Sequence, residues 1–460
     1  MRRWLVIVGG VALLGAGAAV GLRAGWRASH RRDPLTTFEH ALPPGGPAPA
    51  GAPNLVLVIG CTVRQDQTTP YGGPDTTPHL AAIGAAGARL ADPFTAAPWT
   101  RAASTAILTG RHPIEVGMAE PSPARDERVL PDSVVTLAEH LHANGYHTVG
   151  LTTNPNLSAV YGFDQGFDRY RQPAELWRDN GAKVPGRRAV SDALALVDAG
   201  GPGPLYLQIV LIDAHSPFAV TDEEAARFAE TGLPDEVARY RAALRQLDDA
   251  VATLDQGLQA RGFTPDNTVF AFTNDHGDGL AWPAHHGWSH GRYLAPSSVG
   301  GVVVARGPGI APGGVVDGVW SQVDLAPTLS ALLGLPPFPA PGFDLSPALR
   351  GGEPAAVRDR AYVDTWFKEV SRAAVYTTDA ACQLDFAPGA TGRGAPFTDG
   401  CFDRRADPLH EHPTANPALE AELRGWRDAR VAEARAFGPV DRAEPDASTR
   451  AQLEALGYAE

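Results

Sequence analysis

The run Thr273-Asn274-Asp275-His276-Gly277-Asp278-Gly279 carries the densest chemistry in the chain. It follows Thr268 to Phe272, an apolar stretch of β-branched and aromatic residues that predicts a buried strand. An acid and an imidazole at a strand end, next to glycine, are well placed to hold a metal ion at a sheet edge. Carboxylate oxygen and imidazole nitrogen both suit zinc and similar divalent metals. An adjacent Asp-His pair also ends many strands without such a role, so the rest of the chain has to specify it.

Several other segments do. Asn54 to Gly60 is a buried-strand run, and Pro98-Trp99-Thr100 precedes Ala106-Ile107-Leu108-Thr109-Gly110-Arg111-His112-Pro113. Asp213-Ala214-His215-Ser216-Pro217-Phe218 follows the apolar run Leu205 to Ile212. Arg306-Gly307-Pro308-Gly309 precedes Val323-Asp324-Leu325-Ala326-Pro327-Thr328. In this order and at these spacings the chain resembles the sulfatase family of the alkaline phosphatase superfamily. The resemblance runs from about Asn54 to Leu335. It continues more weakly through Cys401-Phe402-Asp403 and Ala406-Asp407-Pro408 to Leu456-Gly457-Tyr458. It implies an α/β fold: an α/β/α sandwich like alkaline phosphatase with a largely parallel central sheet. A small C-terminal antiparallel α+β subdomain would complete it.

Sulfuryl and phosphoryl transfer need an activated oxygen nucleophile, positive charge on the non-bridging oxygens and a proton for the leaving group. The resemblance puts Thr100 at the nucleophile position. It opens a helix-prone stretch ending at Gly110, so a helix N-terminus would face the transferred group. The plain alternative is a helix cap. Sulfatases carry at the matching position a Cys or Ser oxidised to formylglycine, inside a Cys-x-Pro-Ser-Arg pattern. Here Thr100-Arg101-Ala102-Ala103-Ser104 stands in its place. Oxidising a threonine gives a ketone, so no formylglycine is expected. Threonine here resembles the phosphodiesterases, lipoteichoic acid synthases and phosphoethanolamine transferases of the superfamily, which use the metal-bound alkoxide directly.

In the family an Asp or Glu ends the first strand; here Gly60-Cys61-Thr62-Val63-Arg64 occupies that place. Two readings stay open. A thiolate binds zinc well, at about 2.3 Å, so Cys61, Thr100, Asp275 and His276 would form a four-ligand site at the C-terminal edge of the sheet. Zinc is then favoured over manganese, magnesium or calcium. Alternatively Cys61 is a small buried residue and the site has decayed. His215, and His290 in Trp288-Ser289-His290-Gly291-Arg292, match family histidines near the substrate, and both are expected to line the leaving-group side of one pocket. His285 and His286 fall off the pattern and read as a solvated loop pair. Arg64 is expected to stabilise an anionic oxygen. Arg111 is expected to bind substrate or to tie down a helix end. The Lys-Trp-His-type segment of many sulfatases is absent at Gly145-Tyr146-His147-Thr148, which points away from a standard arylsulfatase. The implied activity is a metal-dependent hydrolase or transferase of sulfate or phosphate esters through Thr100. The alternative is an inactive family member that binds an anionic glycan or lipid headgroup.

These residues need a scaffold, and the chain supplies alternating strand and helix patterns from Asn54 to about Gly334. Thr77-Pro78 predicts a helix start, with Thr77 as the cap and a first-turn proline, running to Gly87. A helix around Val134 to Asn144 ends before Gly145 and feeds a strand from His147 to Leu151. Asp235 to Arg261 is the clearest helix, with Val237, Tyr240, Leu244, Leu247, Val251, Leu254 and Leu258 in one apolar stripe. After Leu335 the chain turns rich in Pro and Gly. The expected division is therefore a catalytic domain over 54–340 and a C-terminal subdomain over 341–460. In the latter, Arg360 to Thr365 and Ala373 to Thr377 read as strands and Pro417 to Ala436 as a helix.

The bulk properties agree. The 460 residues are 44% hydrophobic and 20% charged, enough for a large core and a second smaller one. A formal net charge of −13 without a basic block argues against a nucleic-acid partner. The expected partner is a sulfated or phosphorylated small molecule, glycan or lipid. Arg2 and Arg3 precede an uncharged run from Trp4 to Leu22, so residues 1–33 read as a signal peptide or membrane anchor. Arg23, Arg27, Arg31 and Arg32 oppose export, yet a start this apolar has no place on a soluble sheet. The expected location is the cell envelope, membrane-anchored or exported to the periplasm. Residues 34–53 then read as a Pro/Gly-rich linker, with Pro43 to Pro53 a semi-rigid spacer. Cys382 and Cys401 share one loop-rich segment, so a disulfide between them is expected in an oxidising compartment, the alternative being two thiols.

Overall fold

The computed structural model describes residues 35–118, 128–173, 183–280, 290–353, 358–367, 370–387, 399–437 and 441–456. Its strands in chain order are β1 Leu35–Glu39, β2 Asn54–Gly60, β3 Ala88–Phe94, β4 His147–Thr152, β5 Arg169–Pro173, β6 Leu205–Leu211 and β7 Thr268–Asn274. There follow β8 Val303–Arg306, β9 Gly314–Ser321, β10 Ala361–Phe367, β11 Val370–Tyr376, β12 Ala380–Asp385 and β13 Gly400–Asp403. The first nine form one sheet in the order β1-β5-β4-β6-β2-β7-β8-β3-β9. β2 pairs in parallel with both β6 and β7, and β4 with β5 and β6. β1 and β8 run antiparallel to their neighbours. The expected sandwich with a largely parallel sheet is the fold observed.

The runs that predicted strands are apolar throughout because both faces of this sheet are covered. Leu55, Leu57 and Ile59 of β2 face a core that includes Ile107 and Leu108 of the Thr100–Thr109 helix. Val56 and Val58, one residue out of phase, face Tyr240, Leu244, Leu247, Val251, Leu254 and Leu258. Those belong to the Asp235–Gln259 helix, whose predicted stripe is buried along its length. Burying each such aliphatic side chain contributes roughly 2 kcal/mol. Parallel pairing around β2 brings the C-terminal ends of β4, β6, β2 and β7 to one edge, where open α/β sheets place their ligands.

Two local expectations need correction. Thr77 precedes the Pro78–Ala86 helix, but its hydroxyl accepts the Thr69 N–H at 2.9 Å instead of capping. The Asp248 carboxylate of the long helix takes the orphan His79 and Leu80 N–H groups, at 2.8 and 2.9 Å. The second correction concerns residues 34–53, which are not a free spacer where they are described. Leu35–Glu39 alternates β-prone residues and adds an edge strand to β5. The proline-rich stretch is held by Gly46 N–H to Ala143 O at 2.8 Å and Tyr146 Oη–H to Pro53 O at 2.8 Å. The apolar N-terminal run lies outside the described residues. No helix among the described residues is long and apolar enough to cross a membrane.

β10 to β13 form a four-stranded antiparallel sheet. The Pro417–Phe437 helix packs on it through Leu419 and Leu423, against Ala373, Val375 and Leu384. Cys382 and Cys401 face each other across β12 and β13 and form a disulfide.

Asp364, in β10, is fully buried, and neither of its carboxylate oxygens has a hydrogen-bond partner among the described residues. Burial pushes its carboxyl up to about 8; Arg427 and Arg128 oppose that and Glu115 adds to it. An unfolded aspartate titrates near 3.9. The folded chain therefore holds a proton that the unfolded chain releases, so stability falls as pH rises between about 4 and about 8. The slope from this one group approaches about 1.4 kcal/mol per pH unit in that window. Asp364→Asn should flatten the slope and raise stability most at the alkaline end. Urea unfolding of both proteins across the window checks this; parallel pH profiles would show that Asp364 does not hold the proton.

Candidate active site

The strand ends at this edge are locked before any chemistry is considered. Asp275 N–H donates to Gly60 O at 3.1 Å, continuing the β2–β7 pairing past the strands. Asp275 Oδ1 accepts the Thr62 N–H at 2.9 Å and the His276 N–H at 2.6 Å. Thr62 sits in the left-handed region at φ 57°, which is costly for a β-branched residue. Its N–H bond to Asp275 holds it there, with Tyr240 Oη–H donating to Thr62 O at 2.7 Å and the Thr62 hydroxyl to Cys61 O at 2.7 Å. The glycines have steric causes. A Cβ at Gly60 would lie 2.7 Å from the Phe272 ring, and one at Gly277 only 1.9 Å from Ser297 O.

This framework brings Cys61, Thr100, Asp275 and His276 together. Thr100 Oγ1 lies 3.6 Å from Cys61 Sγ and 3.3 Å from His276 Nε2. One ligand atom each of Cys61, Asp275 and His276 lies within 4.8 Å of the others. The donor set fits a metal ion. Asp275 Oδ2 is buried and has no hydrogen-bond partner among the described residues, while Oδ1 is fully engaged. The His276 Nδ1–H donates to Gly277 O at 2.6 Å, which leaves the Nε2 lone pair facing the cluster. Burial holds His276 down at about 4, so its imidazole is neutral, as a ligand must be. Burial and the Asp275 charge push the Cys61 thiol up, which is the cost of placing sulfur beside a carboxylate without a cation.

The histidines sit alongside. His290 stacks 4.5 Å from His276 and 5.0 Å from His215, between ring centroids. His215 Nδ1–H donates to Ser216 O at 2.5 Å, and burial with the neighbouring His290 charge keeps its ring neutral. Asp278 Oδ1 lies 3.5 Å from His290 Nδ1. Burial raises the Asp278 carboxyl, but the adjacent His290 prevails and holds it below the usual range.

Arg64 is buried at the same edge, with its guanidinium forked onto Asp66 at 2.9 and 2.7 Å. Any contact with an anion shares it with that carboxylate. Arg111 is not brought to the cluster. It follows the far end of the Thr100–Thr109 helix, about 15 Å along the axis at 1.5 Å per residue. It donates to Pro339 O at 3.3 Å, which fits the helix-end role and not a place at the cluster. His285 and His286 lie outside the described residues.

Sequence reasoning missed three participants. Asn154 donates from Nδ2 to Cys61 Sγ at 3.2 Å and to Thr100 Oγ1 at 3.3 Å. It is positioned by Asn156, whose Oδ1 accepts from Arg101 at 3.1 Å. The only sequence signal was an Asn-Pro pair just beyond a strand. Asp278 stood in the quoted motif without a role. Gln322 has no local signal at all. Its Nε2 donates to Asn274 O at 2.7 Å and Asp275 O at 2.9 Å, and its Oε1 accepts the Ala96 N–H at 3.1 Å. It thereby ties the turn before Thr100 to the end of β7.

Known proteins share this arrangement of segments. The family model described as Sulfatase matches residues 53–335. Arylsulfatase A of Bos taurus is 29% identical over 364 residues, covering 66% of this chain and 69% of that protein. The solved structure of Ps i-CgsB in complex with k-i-k-neocarrahexaose superposes with a TM-score of 0.67 at 17% identity, over 88% of this chain and 98% of that one. Phosphonate monoester hydrolase of Agrobacterium radiobacter gives 0.67 at 18% identity, over 84% and 95%.

Gln322→Ala removes three buried hydrogen bonds at once. The expected cost is about 2–4 kcal/mol, read as a lowered urea midpoint. A change below about 0.5 kcal/mol would mean the two segments are held together by other contacts.

Proposed function

Because the chain belongs to the sulfatase family, within the alkaline phosphatase superfamily, we propose that it hydrolyses sulfate or phosphate esters through Thr100. The observation that carries this is the hydroxyl itself. Thr100 Oγ1 stands at the start of a ten-residue helix, against Cys61 Sγ and His276 Nε2. A formylglycine route has no place, since the side chain is a secondary alcohol.

Cys61, Asp275 and His276 would hold the metal, with Thr100 as the fourth group. Bound there, a divalent ion supplies the positive charge that favours an ionised oxygen nucleophile. Sulfur in the donor set favours zinc over manganese, magnesium or calcium. Asn154 directs a donor at Thr100 Oγ1 and orients it. The helix N-terminus adds favourable potential for the anionic group. Attack forms a bond from Oγ1 to the sulfur or phosphorus and breaks the ester bond; the departing alcohol takes up a proton. His215 and His290 stand where that proton can be delivered, and an anionic ester beside His215 favours its charged form. Water then cleaves the Thr100 ester and releases the inorganic anion. The substrate is proposed to be a sulfated or phosphorylated small molecule, glycan or lipid. The carrageenan-type oligosaccharide named for the solved relative supports the glycan choice.

The proposed location is the cell envelope. The apolar run from Trp4 to Leu22 and the Cys382–Cys401 disulfide support it.

The test is metal analysis of the purified chain, together with turnover of 4-nitrophenyl sulfate and 4-nitrophenyl phosphate esters. About one zinc per chain is expected after dialysis. Thr100→Ala should retain the metal and lose turnover by a factor on the order of 10³ or more. Cys61→Asp should shift the metal preference toward manganese or magnesium and keep turnover. A parent chain without metal or turnover, and a Cys61→Asp variant equally inert, would replace this reading with that of an inactive anion-binding protein.

A further inference from the structure

Lys183 is a buried cation that the chemistry above leaves unused. It lies three residues before the Gly186–Asp198 helix and is 6% exposed. Its ammonium donates to Ile212 O at 3.4 Å. The same carbonyl accepts the His215 N–H at 3.0 Å, and Leu211 O, one residue earlier, accepts the Cys61 N–H at 2.8 Å. The ammonium is thus anchored at the end of β6, between the Cys61 turn and His215.

Asp213 is the acid whose charge acts on it most, but no carboxylate among the described residues forms an ion pair with it. Ile212 O is its one hydrogen-bond acceptor there. Asp213 turns Oδ1 to the Gly186 N–H at 2.8 Å. An ammonium carries three donors, and a buried charge without a partner is costly. Burial accordingly depresses Lys183 to about 8, while the charges of Asp213, Cys61 and Asp278 act to keep it protonated. Its own charge in turn disfavours the protonated form of His215. A cation held in this position by one carbonyl keeps donors to spare for further oxygens.

We infer that Lys183 binds the anionic oxygens of the group that is transferred from the ester. The inference rests on the proposed function for the identity of that group, and on the contacts of Lys183 for the cation. It assigns the positive charge to a residue outside every segment that pointed to the site. Arg64, by contrast, already faces Asp66, and Arg101 faces Asn156 and the Tyr161 ring, so among the described residues Lys183 is a cation at this edge with donors for an incoming anion.

The experiment is calorimetric titration of the full chain with inorganic sulfate and, separately, inorganic phosphate. Lys183→Gln keeps a donor for Ile212 O but removes the charge; Lys183→Met removes both. Either variant should bind the anion at least about 10-fold more weakly than the parent, with metal content unchanged and a urea midpoint no lower than the parent's in Lys183→Gln. Lys183→Arg should recover most of the affinity, because the charge returns. Parental affinity in Lys183→Gln would overturn the inference, as would a metal-loaded parent chain that binds neither anion. A parent chain that binds sulfate or phosphate in a Lys183-dependent way, yet holds no metal and turns nothing over, would uphold Lys183 and overturn the hydrolase reading.

Discussion

The site depends on the Asp275 carboxylate being used twice. Oδ1 accepts two backbone N–H groups, from Thr62 and His276. That bond pair fixes the turn after β2 and the turn after β7 to each other, so Cys61 and His276 cannot drift apart. Oδ2 is then left buried and unbonded among the described residues. A buried carboxylate oxygen without a donor is expensive. The turn that holds it is also strained at Thr62. Such a combination persists where the surrounding structure fixes it and a ligand relieves it. A divalent cation held there would satisfy Oδ2, favour the thiolate of Cys61 and engage Nε2 of His276.

Around that point the electrostatics divide into two zones. On one side lie the groups that await positive charge: Cys61, Asp275 Oδ2 and the neutral ring of His276. On the other lie the groups that await negative charge: Lys183, His215 and His290, with Asp278 holding His290. Thr100 stands in the first zone, at the end of a helix whose dipole favours anions. On the proposed reading, an ester anion entering between the zones would meet the Thr100 hydroxyl on one side and the two histidines on the other. Burial sharpens this arrangement, because each charge interacts more strongly in a low-dielectric pocket than in water.

The scaffold explains why so few residues have to be special. Parallel pairing of β4, β6 and β7 about β2 delivers their C-terminal ends to one edge, and each end contributes one or two functional side chains. Asn154 follows β4, His215 follows β6, Cys61 follows β2, and Asp275 and His276 follow β7. Gln322, just beyond β9, then reaches across to brace the edge. The hydrophobic layers on both faces hold the strands in register, and the small C-terminal sheet closes one flank through Thr365, whose hydroxyl bonds Gly291 O beside His290.

The sequence by itself determined the central strands β2, β4, β6 and β7, the long helix and the residues at those strand ends. These are local properties: apolar runs from Thr268 and Asn54, a seven-position stripe from Val237 to Leu258, and polar residues placed just beyond them. Their order also carried the family and the fold. Tertiary structure alone decided what each side chain faces. Arg111 looked like Arg64 in sequence, yet one ties down a distant helix end and the other lies buried at the site edge. Asn154, Gln322 and Lys183 had no motif to announce them, because their roles come from carbonyls, N–H groups and charges brought close by segments tens to hundreds of residues away. Residues 34–53 read as a linker from composition, and became an edge strand and a docked turn only when β5 and the Asn144 turn offered partners. Periodicity records which face of an element is buried; it does not record which partner waits there.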